Sequence, residues 1–216
     1  MTTYKKSGVD IKEIKKSQQA IGKIISSTHK SQKMAKMTHG FGHYAGIVEI
    51  PGGKLLATHT DGVGTKVLIA NKMKKFNTIG IDCVAMNVND IICIGATPIS
   101  FVDYIASNKN NQQIFKKIVE GLAIGAKKAT VPIIGGETAI MPDLFAGKDF
   151  QFDLAGAVVG LLSKKEMILG KSIKTNDVII GVKSSGLHSN GYSLARNVLL
   201  KKFSLNDKIR GIGTLG

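Results

Sequence analysis

A seven-residue motif, Thr60 to Lys66 (TDGVGTK), combines residue types that suit a phosphorylated ligand bound together with a metal ion. Strand-forming residues precede the motif, and a helical pattern begins at Val67. A turn between a strand and a helix presents unpaired backbone N–H groups and the positive end of the helix dipole to an anion. Asp61 could bind the cation and Lys66 the phosphate. The motif therefore offers the groups that a Mg-nucleotide needs.

Spacing separates this motif from two common nucleotide-binding patterns. A P-loop has four residues between its first glycine and its Gly-Lys-Ser/Thr sequence. Here Gly62 and Gly64 are two positions apart, and Lys66 does not directly follow a glycine. No stretch of the chain fits the dinucleotide pattern Gly-x-Gly-x-x-Gly. On these residues alone, a phosphate site and a simple glycine turn are equally good interpretations.

Acidic residues lie in two segments that contain no lysine or arginine. The first segment contains Asp82, Asp90 and Asp103, and the second contains Glu137 and Asp143. These acids have no basic neighbour in sequence, and buried carboxylates need partners. A bound Mg²⁺ is one such partner. Helix caps and surface acids are the alternative interpretation.

Length and composition limit the class of protein. The 216 residues are enough for one large domain, or for one domain and part of another, and 43% of them are hydrophobic. No apolar run approaches the ~18 residues of a membrane span, and no apolar signal region follows the N-terminus. Cys83 and Cys93 fit a reducing compartment, and we interpret both as core residues. We therefore expect a cytoplasmic protein with no membrane partner.

The charge is strongly positive, with 30 basic residues against 15 acidic and a net charge of +15. Only Arg196 and Arg210 are arginines. Such a charge makes nucleic acid a candidate partner. The lysines are dispersed, however, without interleaved aromatic residues or a recognisable binding module. We therefore expect no nucleic-acid partner and a surface that attracts small anionic substrates.

The hydrophobic pattern predicts alternating helices and strands, typical of an α/β fold. Asp10 is a suitable N-cap for a first helix, which carries isoleucines along one side. Gly121 and Gly125 would let a later helix pack closely on a sheet. Helices are predicted over residues 10–27, 67–71, 78–94, 112–129 and from about 195 to 202. Strands are predicted over residues 47–50, 54–59, 98–106, 131–134, 152–162 and 177–182.

Three further glycine-rich segments are candidate binding loops. His39 to Gly46 could bind an anion, Gly135 to Pro142 could lie against a ligand, and Ser184 to Leu194 suits a phosphate or a ribose. An ordinary turn is the alternative in each case, and a hydrogen-bonding role is the alternative to catalysis for His188. Asp82 and Asn89 fall on one face of the helix over residues 78–94.

A polar connector, residues 163–170, predicts a domain boundary. We assign residues 1–164 to an N-terminal domain and residues 165–216 to the beginning of a second one. One strand and one helix are too few to bury a core. We therefore expect the chain to be truncated or incomplete.

Five motifs together resemble the aminoimidazole ribonucleotide (AIR) synthetases, or phosphoribosylformylglycinamidine cyclo-ligases. This family belongs to a superfamily that also holds thiamine monophosphate kinase and selenophosphate synthetase. The motifs occur in the order found in the family. They are Asp61–Lys66, Ile79–Asp90, Phe101–Tyr104, Gly135–Pro142 and Gly186–Leu194.

The resemblance implies an α/β (α+β) fold. Its N-terminal ATP-binding domain would have a mixed sheet that pairs with a partner subunit in a homodimer, and a second α/β domain would follow. It implies ATP-dependent ring closure of formylglycinamidine ribonucleotide to 5-aminoimidazole ribonucleotide, with release of ADP and phosphate, in de novo purine biosynthesis. ATP and Mg²⁺ are the implied cofactors.

The same resemblance implies roles for individual residues. The metal ligands would be Asp61, Asp82, Asp90 and Glu137. The ATP-binding residues would be Asp61, Gly62, Gly64, Thr65, Lys66, Asn89, Gly135, Gly136, Glu137 and Thr138. The substrate-binding residues would be His188, Ser189, Asn190 and Gly191. The catalytic residues would be Lys66, Asp90 and His188.

Two features leave alternatives. Many relatives have Gly-Gly-Phe-Gly where this chain has His39-Gly40-Phe41-Gly42, and the second domain of the family extends well beyond Gly216. The alternatives are another ATP-using member of the superfamily, such as thiamine monophosphate kinase, and an inactive fragment that acts only as a dimerisation module.

Overall fold

The structure, a computed structural model, describes residues 3–31, 33–39, 42–211 and 213–216. Its helices are α1 (Ile11–Ser27), α2 (Val67–Met73), α3 (Ile79–Ile92), α4 (Gln112–Lys128) and α5 (Tyr192–Leu199). Its strands are β1 (Lys36–Met37), β2 (Gly46–Glu49), β3 (Leu55–Gly62), β4 (Thr97–Ser107), β5 (Ile133–Ile140), β6 (Phe152–Leu162), β7 (Lys208–Ile209) and β8 (Gly213–Thr214). Single 3-10 turns occupy Lys5–Ser7, Gly64–Lys66 and Pro142–Leu144.

The main sheet has six strands in the order β1-β2-β3-β6-β4-β5. Strands β4 and β5 pair in parallel, and the other neighbours pair in an antiparallel manner. Parallel neighbours need a long crossover connection, which is usually a helix, and α4 connects β4 to β5. The mixed sheet with helices confirms the predicted α/β class.

One face of the sheet is covered by helices. Helix α3 packs across β3, β6 and β4, and α4 packs on α3. Along β6 every second residue from Phe152 to Leu162 is buried, as expected for a strand with one face on the core. The buried core includes Phe101, Ile105, Ile118 and Leu154. Buried apolar area of this kind is the main source of stability.

The glycines of α4 allow close packing, but on a helix and not on the sheet. A Cβ atom at Gly121 would lie 2.8 Å from the carbonyl oxygen of Asn77, and one at Gly125 would lie 3.0 Å from Cβ of Val84. Gly80 meets the backbone of α4 in the same way. The prediction of close packing is confirmed, and its partner is corrected to α3.

Helix α1 begins where its cap predicts. The Asp10 carboxylate accepts hydrogen bonds from the backbone N–H groups of Lys12 at 3.0 Å and Glu13 at 3.4 Å. These bonds satisfy two of the donors that a helix start leaves unpaired. The isoleucines that line one side of α1 are all exposed, and Ile24 reaches 71% exposure.

Several sequence predictions after residue 130 are wrong. Residues 177–182 form no strand, and Val178, Ile179, Ile180 and Val182 are 86–95% exposed. A strand needs a hydrogen-bonded neighbour, and none of the described strands pairs with this segment. Helix α5 ends at Leu199, three residues before the expected Lys202.

The structure also differs from the expected secondary structure of residues 135–140 and from the expected burial of Cys93. Residues 135–140, expected as a loop, belong to β5, because β5 extends along β4 as far as Ile140. Cys93, expected in the core, is exposed at the end of α3, whereas Cys83 is buried. The His39–Gly46 loop cannot be compared as a whole, since Gly40 and Phe41 lie outside the described residues. None of the described helices is both long and apolar enough to span a membrane.

Candidate functional site

The Thr60–Lys66 motif lies at the end of β3, and its first half belongs to the strand. Asp61 and Gly62 pair with Gly156 and Ala155 of β6. The turn Gly64–Lys66 then leads directly into α2. Gly64 has φ +67°, a left-handed conformation that favours glycine. The predicted order of strand, glycine turn and helix is confirmed, and the strand ends three residues later than expected, at Gly62.

A buried amide on α3 holds the backbone of Asp61. The side-chain oxygen of Asn87 accepts the Asp61 N–H at 2.9 Å, and its nitrogen donates to the Asp61 carbonyl at 3.1 Å. The same nitrogen donates to the Cys83 carbonyl at 2.9 Å. Asn87 is fully buried. Sequence analysis missed this residue, and its only signal was an amide two positions before Asn89 on an apolar helix.

Two carboxylates share the helix-covered face of the sheet near this point. Asp61 on β3 and Asp103 on β4 both pair with Gly156 of β6, so two strand spacings, about 10 Å, separate their backbones. Burial raises the pKa of the Asp103 carboxyl. A Cβ atom at Gly136 would collide with the Asp103 carboxylate. Position 136 therefore needs glycine in order to accommodate this acid.

Asp90 lies close enough to Asp61 for their charges to interact. Burial raises the pKa of the Asp90 carboxyl; His59 opposes this rise, and the Asp61 charge adds to it. His59 Nε2 lies 3.2 Å from Asp90 Oδ2, but without hydrogen-bond geometry. Because the Asp61 charge disfavours the charged form of Asp90, a cation near both carboxylates would favour that form.

A cavity of about 410 Å³ opens beside His59 and Asp90. It is lined by Gly42, His43, Tyr44, His59 and Asp90. His43 Nδ1 is buried without a hydrogen-bond partner. Sequence analysis did not identify either histidine. The signal for His59 was its position two residues before Asp61, which places both side chains on the same face of the strand.

Lys66 connects three elements. Its Nζ atom forms an ion pair with Asp82 of α3 at 2.7 Å and donates a hydrogen bond to the His188 carbonyl at 2.5 Å. It also lies 5.4 Å from the centre of the Tyr192 ring, within the range of a cation–π contact. Lys66, expected to bind phosphate, and Asp82, expected to bind metal, therefore neutralise each other in this structure.

Glu137 lies apart from the other acids. Glu137 on β5 pairs with Tyr104 of β4. Across the next two strands, Tyr104 pairs with Ala155 of β6, and Ala155 pairs with Gly62 of β3. Three strand spacings, about 14 Å, separate Glu137 from Gly62. Since neighbouring residues of a strand point to opposite faces, Glu137 and Asp61 are on opposite faces of the sheet.

Among the described residues, no group of three or more His, Cys, Asp or Glu side chains could hold a metal ion. The structure thus does not bring the four predicted metal ligands into one cluster. Mg²⁺ often binds through one or two carboxylates plus substrate phosphates and water, so Asp61 and Asp90 are compatible with that role. Asn89 is exposed on α3, and Gly135, Gly136 and Thr138 are exposed on β5.

The loop before α5 and the first turns of α5 contact the Gly64–Lys66 turn, the loop through the His188 carbonyl. Ser193 Oγ lies 3.3 Å from Thr65 Oγ1, and an Arg196 Nη1–H donates to the Thr65 carbonyl at 3.4 Å. His188 Nε2 lies 2.8 Å from Ser185 Oγ. The predicted phosphate turn and the predicted substrate loop are therefore adjacent.

The remaining residues of that loop differ in their burial. Ser189 is buried, and Gly191 has φ +84° as the N-cap of α5. Asn190 is exposed. Sequence analysis missed Tyr192, Ser193 and Arg196, although their spacing places them on one side of a helix that follows the loop.

Comparisons with known proteins agree with these motifs. Residues 42–162 match the model of the family described as AIR synthase related protein, N-terminal domain. A phosphoribosylformylglycinamidine cyclo-ligase of Thermococcus kodakarensis is 44% identical over 213 residues, which is 98% of this chain and 62% of that protein. One of Methanosarcina mazei is 47% identical over 197 residues, which is 91% of this chain and 57% of that protein.

A solved structure, T. maritima PurL complexed with ATP, aligns with a TM-score of 0.49 and 12% identity, covering 66% of this chain and 24% of that one. Similarity at this level supports no statement about function. The chain spans about 62% of the length of the first-named cyclo-ligase. The match over residues 42–162 covers more than half of the 216 residues. The chain therefore belongs to the AIR synthase related protein family.

Proposed function

We propose that this chain provides the ATP- and Mg²⁺-binding part of a phosphoribosylformylglycinamidine cyclo-ligase. The reaction is ATP-dependent closure of formylglycinamidine ribonucleotide to 5-aminoimidazole ribonucleotide, with release of ADP and phosphate, in de novo purine biosynthesis. The observation that carries the proposal is the contact of the Gly64–Lys66 turn with His188 in the loop before α5 and with Ser193 and Arg196 of α5 itself. The reaction needs a nucleotide and a second phosphorylated ligand side by side. The identity to cyclo-ligases supports this choice of reaction.

The residues around the turn fit a Mg-nucleotide. Asp61 and Asp90 would hold Mg²⁺, because the cation would relieve the mutual repulsion that accompanies the raised pKa of the Asp90 carboxyl. Apart from its neighbours in the chain, no described residue has an atom within 4 Å of the place where a Cβ would stand on Gly64, so a phosphate can approach the backbone there. Lys66, which already lies at this turn, would exchange Asp82 for the phosphates. Asp82 would then be free to face the metal.

ATP, when bound, supplies the phosphoryl group that activates the formamide oxygen of the substrate. The protein's own part is to bind and orient. Ser189, Asn190 and Gly191 would hold the ribose phosphate, and His188 would donate a hydrogen bond to it while Ser185 fixes the imidazole at 2.8 Å. Positioning of two bound reactants is a large part of the rate enhancement in reactions of this type.

The open face and the free edge of the sheet suit a second copy of the chain. Strand β5 is the last strand of the sheet, and Val102, Tyr104 and Ile134 on β4 and β5 are 38–68% exposed. An unpaired, apolar strand edge is costly when it is left in water. We propose that two copies form a homodimer through these N-terminal sheets, with residues 165–216 forming the beginning of a second domain. A purine-synthesis enzyme of this kind would work in the cytoplasm.

The test is substrate-dependent release of ADP. The chain is incubated with Mg-ATP and formylglycinamidine ribonucleotide, with thiamine monophosphate as the alternative substrate. The proposal expects ADP with the first substrate only, and its loss in Asp61→Asn, which removes one charge but no atom beyond the carboxylate oxygen. ADP with thiamine monophosphate alone would assign the chain to the kinase branch of the superfamily. Undiminished ADP release in Asp61→Asn would refute the metal role.

A further inference from the structure

We infer that Arg196 binds a phosphate group of the ligand at the Gly64–Lys66 turn; the inference rests on the proposed function, in which both ligands carry phosphate. Arg196 lies on α5, and its Nη1 atom is 3.4 Å from the Thr65 carbonyl oxygen. This carbonyl lies at the centre of the turn that would receive the nucleotide. A guanidinium beside it therefore lies beside the phosphates.

Other contacts also hold α5 on the turn. Ser193 Oγ lies 3.3 Å from Thr65 Oγ1, and the Tyr192 ring lies under Lys66 Nζ at 5.4 Å. The bond from Arg196 is long for an N–H···O hydrogen bond. It engages one of the five N–H donors of a guanidinium. Four donors are therefore available for a ligand without loss of the existing contact.

Lys66 and Arg196 differ in their ion pairing. Lys66 is paired with Asp82 at 2.7 Å, and both side chains are largely buried, at 22% and 13% exposure. In the part of the chain that the structure describes, no ion pair includes Arg196, although this residue is half-buried. A phosphate group of the ligand would give the Arg196 guanidinium an anionic partner.

The choice of residue type points to the same ligand. This chain uses lysine for 28 of its 30 basic residues. A lysine could donate to the Thr65 carbonyl equally well. Only a guanidinium can present two parallel N–H groups to two oxygens of one phosphate. Carboxylates and phosphates are both bound in this way, and the ligands of the proposed function carry phosphate, either on the nucleotide or on the ribose.

The experiment compares Arg196→Gln and Arg196→Lys with Arg210→Gln. Arg210 is the only other arginine of the sequence and is exposed, so it provides a matched control. Binding of Mg-ATP and of ribose 5-phosphate is measured by calorimetry. For one of the two ligands, Kd should rise about tenfold to a hundredfold in Arg196→Gln. Arg196→Lys should restore part of the loss, and Arg210→Gln should bind as the wild type does. The ligand that loses affinity identifies the source of the phosphate.

A thermal unfolding scan of each variant without ligand separates binding from structure. A lower Tm with unchanged Kd for both ligands would mean that Arg196 only holds α5 in place. This result would overturn the inference about Arg196 but not the proposed function. If Arg196→Gln does not fold, unchanged binding by Arg196→Lys would have the same meaning. A wild-type chain that binds neither ligand would overturn the proposed function as well.

Discussion

Two buried asparagines provide the sharpest test of the energetics, because one is fully hydrogen-bonded and the other is not. Asn87 is fully buried and bonds to the N–H and the carbonyl of Asp61 and to the Cys83 carbonyl. Asn71 on α2 is 8% exposed, and within the described residues neither its side-chain oxygen nor its nitrogen has a hydrogen-bond partner. Leucine has the same number and branching of side-chain heavy atoms as asparagine, with methyl groups in place of the polar atoms, so the same substitution can be made at both positions.

The two substitutions should change the free energy of unfolding by different amounts and in different directions. Asn87→Leu leaves the N–H and the carbonyl of Asp61 without these partners, at about 1–3 kcal/mol for each buried group. The Cys83 carbonyl keeps its helical N–H partner. We therefore expect a loss of about 2–5 kcal/mol in the free energy of unfolding. Asn71→Leu removes two unpaired polar atoms from the interior, and we expect it to be neutral or to stabilise by about 1 kcal/mol.

The assay is urea unfolding followed by circular dichroism, with a thermal scan as a second measurement. A change of 1 kcal/mol corresponds to a shift of about 2–4 °C in Tm for a chain of this size. The loss in Asn87→Leu should therefore be easily resolved from Asn71→Leu. Equal losses in both variants, or no loss in Asn87→Leu, would refute the argument that satisfied hydrogen bonds separate the two sites.

Three further predictions concern charged and reactive groups. In a double-mutant cycle, Lys66→Met and Asp82→Asn should each destabilise the chain, and the double variant should lose at least about 1 kcal/mol less than the sum, because each single change leaves a largely buried partner unpaired; additive losses would contradict this. Burial raises the pKa of the Asp103 carboxyl above 3.8, so the folded state binds more protons than the unfolded state and loses stability as the pH rises through that window. Asp103→Asn should therefore gain more over the wild type in urea unfolding at pH 7 than at about pH 3.5, and an equal difference at both values would refute the shift. Cys93 is exposed, whereas Cys83 is buried with its pKa raised, chiefly by burial; a thiol reagent should label Cys93 in the folded chain and Cys83 only in denaturant, and rapid native labelling in Cys93→Ser would show otherwise.

The local elements of the N-terminal part were largely predictable from the sequence. Strand β6 has the predicted bounds, Phe152–Leu162, because its residues form a mainly apolar stretch that is bounded by polar turn residues on both sides. Helix α1 begins after Asp10 because its carboxylate caps the first turn. The five family motifs were recognisable for a related reason: each is a short stretch that can be identified from its residue types and their order, without knowledge of tertiary contacts.

The relation between the acids was decided by the register of the sheet. Sequence analysis named both Asp61 and Glu137 as metal ligands, and the strand pairing puts them on opposite faces of the sheet, about 14 Å apart. A shift of one residue in register would reverse the face of every side chain on a strand. No local pattern contains that information.

Side-chain pairing was likewise a tertiary result. The ion pair of Lys66 with Asp82, the bonds of Asn87 to Asp61 and the contact of Arg196 with Thr65 each join residues 16 or more positions apart. Residues 177–182 have the composition of a strand but no partner among the described strands. The sequence by itself determined which residues could do chemistry and which local elements carry them. Only the tertiary structure decided which of them meet, because strand register and helix packing depend on contacts between segments that are distant in the chain.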